Sequence, residues 1–122
     1  MMINKLLHLA NLEGDAMPKY LIQGSYTAEG LKGLQKDKAS GRRTAVASAA
    51  ETLGGKLEAA YFAFGQDDAV VIVDLPDNVA ASALSLAMSA SGLVRTKTTP
   101  LLTIEETDKA LAKSINYRAP GR

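Results

Sequence analysis

Residues Ala69–Leu75 read AVVIVDL, and no other stretch limits the possible folds as much. Successive side chains of a strand point to opposite faces, so a strand with one wet face alternates apolar and polar residues. This run is apolar at nearly every position, and both of its faces therefore need cover. It closes the longer stretch AYFAFGQDDAVVIVDLPD, Ala60–Asp77, in which an aromatic-rich run, a Gly-acidic break and the valine-rich run follow one another. Glycine and aspartate tolerate the backbone angles of short turns, so Gly65–Asp68 is expected to join strand Lys56–Phe64 to strand Ala69–Leu75 in a hairpin.

The rest of the chain supplies elements around that hairpin. KYLIQGSY, Lys19–Tyr26, is β-rich and runs into Thr27-Ala28-Glu29, an N-cap followed by an acid in the first turn. The helix this opens is expected to break near Ala39-Ser40-Gly41. Its second part carries Val46, Ala49, Ala50 and Leu53 at helical spacing and ends at Gly54-Gly55. Asp77 caps a second helix, NVAASALSLAMSAS, with Val79, Ala83, Leu86, Ala87 and Ala90 on one side and Gly92 at its close. VRTKTT, Val94–Thr99, is β-branched and polar enough to be an edge strand. Thr103-Ile104-Glu105-Glu106 has the form of a capping box for a last helix to about Ile115. The order is βαββαβ plus a C-terminal helix: an α+β, ferredoxin-like split-βαβ pattern with a four-stranded antiparallel sheet and both crossover helices on one face. A second subunit on the other face is the economical cover for AVVIVDL.

Length allows one domain, expected over residues 18–115, with a loosely ordered extension at 1–17 and a flexible tail at 116–122. The extension contains the only histidine, His8, and its apolar run is too interrupted for a signal peptide and too short to span a membrane. A formal net charge of +1 gives no pull toward nucleic acid or an anionic membrane. The absence of cysteine removes thiol chemistry and disulfides and fits a reducing, cytoplasmic compartment.

If Gly65–Asp68 form the turn, Phe64 pairs with Ala69, Phe62 with Val71, Tyr61 with Ile72 and Ala59 with Asp74. Phe62, Phe64, Val71 and Val73 then lie under the helices, with Tyr61 and Asp74 on the open face. The same parity on the first strand puts Ile22 and Gly24 under the helices and Gln23 and Ser25 on the open face. A cavity there would carry Gln23, Ser25, Tyr61 and Asp74 in an apolar surround, the usual make-up of a small-molecule pocket.

MPKYLIQGSYTAEGLKGL, SGRRTAVASAAETLGGKLEAAYFAFG, DDAVVIVDLPDN and TKTTPLLT together resemble the GYD-domain family of small bacterial proteins, over about Pro18–Ile115. The resemblance implies a dimeric α/β-barrel and no particular activity. Gly65 and Asp68, as structural turn residues, fit the Gly/Tyr/Asp signature, but neither Gln66 nor Asp67 between them is tyrosine. A role for that tyrosine does not carry over.

Asp74 has two readings: a partly buried general base acting on an acidic carbon or phenol, or a strand-end carboxylate that meets solvent, a backbone N–H or a partner arginine. Tyr61 is a hydrogen-bond donor or interface packing. Arg42-Arg43 either clamp an anionic ligand or form a solvated or ion-paired surface where they open a helix segment, and Arg95 and Lys97 alternate on the edge strand. No nucleotide loop, Ser/His/Asp set or metal cluster is present, and no cofactor or metal is expected. The chain is therefore expected to be a homo-oligomer that binds or senses a small, partly apolar molecule. The alternatives are a cofactor-independent monooxygenase or isomerase using a carboxylate base, an analogy drawn from the fold alone, and a structural assembly subunit.

Overall fold

The structure is a computed structural model and describes residues 17–122. The expected extension at 1–17 thus lies, apart from Met17, outside the described residues. The elements are β1 (Lys19–Tyr26), α1 (Ala28–Thr52), β2 (Lys56–Phe62), β3 (Ala69–Asp74), α2 (Asn78–Ala90), β4 (Val94–Leu101) and α3 (Ile104–Leu111). All three strand pairs are antiparallel, in the order β2-β3-β1-β4. The architecture is therefore the α+β, ferredoxin-like one expected from the order of elements.

Local chemistry sets the helix ends. Thr27, Asp77 and Thr103 each accept a hydrogen bond from the backbone N–H three residues on, at Gly30, Ala80 and Glu106. At Thr103 the box is closed, because Glu106 Oε1 accepts from the Thr103 N–H at 2.8 Å. The start of α1 is pinned to the turn before β4: Thr27 N donates to Leu93 O at 3.0 Å. A Cβ at Gly30 would collide with that same carbonyl, so only glycine allows this close approach. α1 ends at Gly54, whose φ of +85° suits the left-handed position after a helix. The break within α1 falls at Lys38 (φ 70°, ψ 162°), one residue before the expected Ala39–Gly41.

The core lies between α1, α2 and one sheet face. Tyr20, Ile22 and Val73 from the strands and Leu75 just beyond β3 meet Ala50 from α1 and Ala81 and Leu84 from α2. Ala49 and Leu53 pack beside them, following the spacing expected for α1. For α2 the expected stripe is displaced. Ala81 and Leu84 are buried, whereas Val79 and Leu86 are 77% and 69% exposed. A helix built almost wholly of alanine, serine and leucine has apolar residues on every side, so its sequence does not fix which side faces the sheet.

The hairpin also differs from the expected one. β2 ends at Phe62, which pairs with Ala69, and residues 63–68 form a six-residue loop closed by Ala63 N donating to Asp68 O at 2.9 Å. Phe64 is consequently in the loop and fully exposed instead of under the helices. A bulge at Glu58, between Leu57 and Ala59, then shifts the far end of the ladder, so that Lys56 and not Ala59 faces Asp74. Gly65 does not take positive φ, because the longer loop turns without it. β4 continues through Pro100 to Leu101, which an edge strand permits. α3 stops at Leu111, short of the expected Ile115, and has no buried residue.

Candidate functional site

Register and parity together lay out the sheet face opposite the core in cross-strand rows. One end row is Lys56, Asp74, Lys19 and Leu101, the middle row is Ala59, Ile72, Leu21 and Thr99, and the next is Tyr61, Val70, Gln23 and Lys97. Beyond it Ser25 stands opposite Arg95. The face thus has an apolar band, Ala59, Ile72, Leu21 and Val70, between two polar ends. Gln23 lies four residues along β1 from Lys19, so the two ends are about 13 Å apart at the usual strand rise.

The first end is an ion-pair cluster. Lys19 Nζ lies 2.8 Å from Asp74 Oδ1 and 2.6 Å from Glu58 Oε1. Its hydrogen bond to Asp74, and then the one to Glu58, raise the Lys19 pKa above its usual 10.5. Asp74 is only 8% exposed, at the strand end, with its near oxygen on this ammonium.

The second end is built around Asp67. The six-residue loop folds back over the sheet and sets this carboxylate on β1 and β4. Ser25 Oγ donates to Oδ1 at 3.1 Å, Gln23 Nε2 donates to Oδ2 at 3.3 Å, and Lys97 Nζ sits 3.3 Å from Oδ2. The next residue anchors the loop: Asp68 Oδ2 accepts from Tyr26 N at 2.8 Å, and Asp68 N donates to Gly24 O at 2.8 Å. Ser25, Gln66, Asp67, Arg95, Thr96 and Lys97 line a groove of about 410 Å³ at this end. That is large enough for a small metabolite.

The structure therefore brings Gln23 and Ser25 together, with Tyr61 in the Gln23 row but on the outer strand and 70% exposed. It sets Asp74 apart from them, at the far end of the face. The carboxylate that Gln23 and Ser25 meet is Asp67, which the sequence assigns to the turn. Its sequence signal is slight: an acid at a loop tip across from Gln23 and Ser25 on β1 and Lys97 on the polar edge strand β4. Arg42 lies 4.0 Å from Asp37, and the hollow it shares with Arg43 and Tyr61 measures about 40 Å³, too small for more than a water or two. Among the described residues no three His, Cys, Asp or Glu side chains are grouped to hold a metal ion.

A comparison with curated proteins finds no match. The model of the GYD domain matches residues 20–111, a span running from β1 to the end of α3 and taking in both ends of the open face. The chain belongs to the GYD-domain family.

Proposed function

We propose that this protein is a homo-oligomer that binds a small, partly apolar molecule on its open sheet face, at the groove beside Asp67. The observation that carries the proposal is the arrangement of that face: the Ala59, Ile72, Leu21 and Val70 band runs directly into a row of hydrogen-bonding side chains that ends in the groove. An apolar wall with a few fixed polar groups is what small-molecule sites are made of. The same band is what a second sheet would cover, since the core helices occupy the other face. The carboxylates favour binding over turnover. A general base needs a free lone pair aimed at the proton it removes. At the groove, three of the roughly four acceptor positions of Asp67 are already taken, while Asp74, which still has an oxygen clear of its Lys19 ammonium, stands at the other end of the face.

Residence in the cytoplasm belongs to the same reading. It is supported by the lack of cysteine, and among the described residues no helix is long and apolar enough to cross a membrane.

Native mass spectrometry of the purified full chain tests both halves of the proposal, because it reports subunit number and any retained mass together. A dimer or larger species is expected, carrying a small-molecule mass that the Gln23→Leu variant fails to retain. Ile72→Asp, which sets a charge in the centre of the apolar band, is expected to yield monomer or insoluble protein. A monomeric wild type in sedimentation experiments overturns the stacked-sheet arrangement. A Gln23→Leu protein that retains the same mass as wild type overturns the site.

A further inference from the structure

On the helix side of the sheet, where α1 breaks, lies a cavity of about 270 Å³ that is separate from the open face. Its walls come from both parts of α1, from α2 and from the adjoining ends of β1 and β4, with Leu34, Ala49, Leu84, Met88 and Val94 as apolar surface. Gly33 lines it too, and a Cβ built there meets nothing within 4 Å, so space is left beside the α1 backbone. Glycine weakens a helix interior and alanine would fit at this position, so helix stability does not account for it.

The charged side chains that line this cavity are Asp37 and Arg42, which flank the break at Lys38. In an unbroken α-helix, residues five apart point about 140° away from each other around the axis and would not share one cavity. The break brings the two to one side, with Arg42 Nη1 4.0 Å from Asp37 Oδ2. Lys38 holds φ 70° there at a cost in strain, and such outliers persist where the surroundings impose them, often at ligand clamps. The pair is not closed on itself. Its separation exceeds hydrogen-bond length, and with the Asp37 side chain 50% and the Arg42 side chain 31% exposed, both groups can be reached from water.

These two charges select the occupant. A monoanion drawn to Arg42 would stand beside the Asp37 carboxylate, a monocation on Asp37 would stand beside the guanidinium, and an uncharged molecule would displace water from both for little return. A zwitterion meets each in kind. We propose that the cavity at the α1 break is a binding site for a small apolar α-amino acid, with its carboxylate on Arg42, its ammonium on Asp37 and its side chain against Leu34, Leu84 and Met88. Both charges of such a molecule are carried at one carbon, which suits partners held 4.0 Å apart.

The test is amide NMR on the full chain with L-leucine, with 4-methylpentanoate, which lacks the ammonium, and with 3-methylbutylamine, which lacks the carboxylate. L-Leucine is expected to give saturable shifts at Gly33, Leu34, Asp37, Arg42 and Met88, with each single-charge analogue weaker by roughly tenfold or more, the effect of losing one hydrogen bond to a charged group. Arg42→Gln and Asp37→Asn alter a loose surface pair and are expected to keep the melting temperature within about 5 °C of wild type. Each weakens leucine by a similar factor, and each also relieves one repulsion: Arg42→Gln binds the amine more tightly than wild type does, and Asp37→Asn the acid. A pair that only supports the fold would not produce that exchange. Absence of saturable leucine shifts at these amides, an analogue that binds wild type as well as leucine does, leucine affinity that neither substitution changes, or analogue affinities that do not rise in the variants each overturns the proposal.

Discussion

Replacing Asp67 by asparagine isolates what the loop carboxylate does, because the amide keeps the volume and removes only the charge and half of the accepting capacity. The native carboxylate meets Ser25 at 3.1 Å and Gln23 and Lys97 at 3.3 Å, with its side chain 15% exposed. A hydrogen bond to a charged group contributes about 1.5–3 kcal/mol net, but two of these contacts are long, and the amide oxygen can still accept one of them. The Lys97 side chain is 61% exposed, so its ion pair is largely screened and contributes about 0–1 kcal/mol. The expected loss for Asp67→Asn is about 1–2 kcal/mol, or roughly 5–15 °C in melting temperature for a domain of this size. Calorimetry at one fixed protein concentration measures it, with Lys97→Met as a companion expected to lose less than about 1 kcal/mol. A shift under about 1 °C for Asp67→Asn would mean that the carboxylate is no better held in the folded protein than in water.

Lys38→Gly should stabilise the protein. A lysine at φ 70°, ψ 162° occupies a region that costs about 1–3 kcal/mol for any residue with a Cβ. The extra freedom glycine gives the unfolded chain takes back about 0.5–1 kcal/mol, leaving a net gain near 1 kcal/mol in urea denaturation, and a measured loss would contradict it. Gly30→Ala is expected to cost more than about 2 kcal/mol by the same assay, because the new Cβ meets the rigid Leu93 carbonyl; a neutral result would mean that the α1–β4 junction yields easily. At alkaline pH the raised pKa values of Lys19 and Tyr20 act in one direction. The folded protein holds protons that the unfolded chain releases first, so this stabilisation is complete below about pH 10 and is lost as pH rises through the raised values. Urea midpoints from pH 8 to 11 should fall beyond pH 10, and less steeply in Lys19→Met; a flat profile would contradict the cluster at that end of the sheet.

Much of the fold was legible because its signals are local. The caps at Thr27, Asp77 and Thr103 each depend on one side chain and a backbone N–H three residues away, and all three sit where the sequence places them. The hairpin shows what local signals leave open. The expected pairing joins Phe64 to Ala69 and the actual one Phe62 to Ala69, a slip of two residues. Because side chains alternate with a period of two, such a slip keeps Ala59 to Phe62 on their faces, while Phe64 leaves the ladder and the bulge at Glu58 turns Lys56 and Leu57 over. Gln23, Ser25, Tyr61 and Asp74 could therefore be assigned to one face in the wrong register. Reach is different from parity. Two more residues in the loop let its tip fold back onto β1, and that length decides that Asp67 and not Asp74 meets Gln23 and Ser25. In α2 the obstacle is composition: with Ala81 and Leu84 buried and Leu86 exposed, the choice of face rests on packing against Tyr20 and Ile22, far away in sequence.

The doubly apolar strand β3 is covered differently on each side. Val71 and Val73 face the core, where Ala50, Ala81 and Leu84 cover them. Val70 and Ile72 face the other way, beside Leu21 and Ala59, and are only half-buried within one chain. Their neighbours restrict what can cover them. The Lys19, Glu58 and Asp74 cluster bounds the band at one end and the Gln23, Asp67 and Lys97 cluster at the other. A partner surface that extended over either cluster would have to strip water from charged groups, which costs more than the added apolar contact returns unless each charge is met in kind. The band suits a contact that ends at the polar rows, with the clusters left at its rim. The groove beside Asp67 would then open at the edge of the contact, where a ligand can lay an apolar part along the buried band while its polar atoms replace water at Ser25, Gln23 and Arg95. On this arrangement subunit contact and ligand binding share Val70 and its row, and a substitution there should change both together.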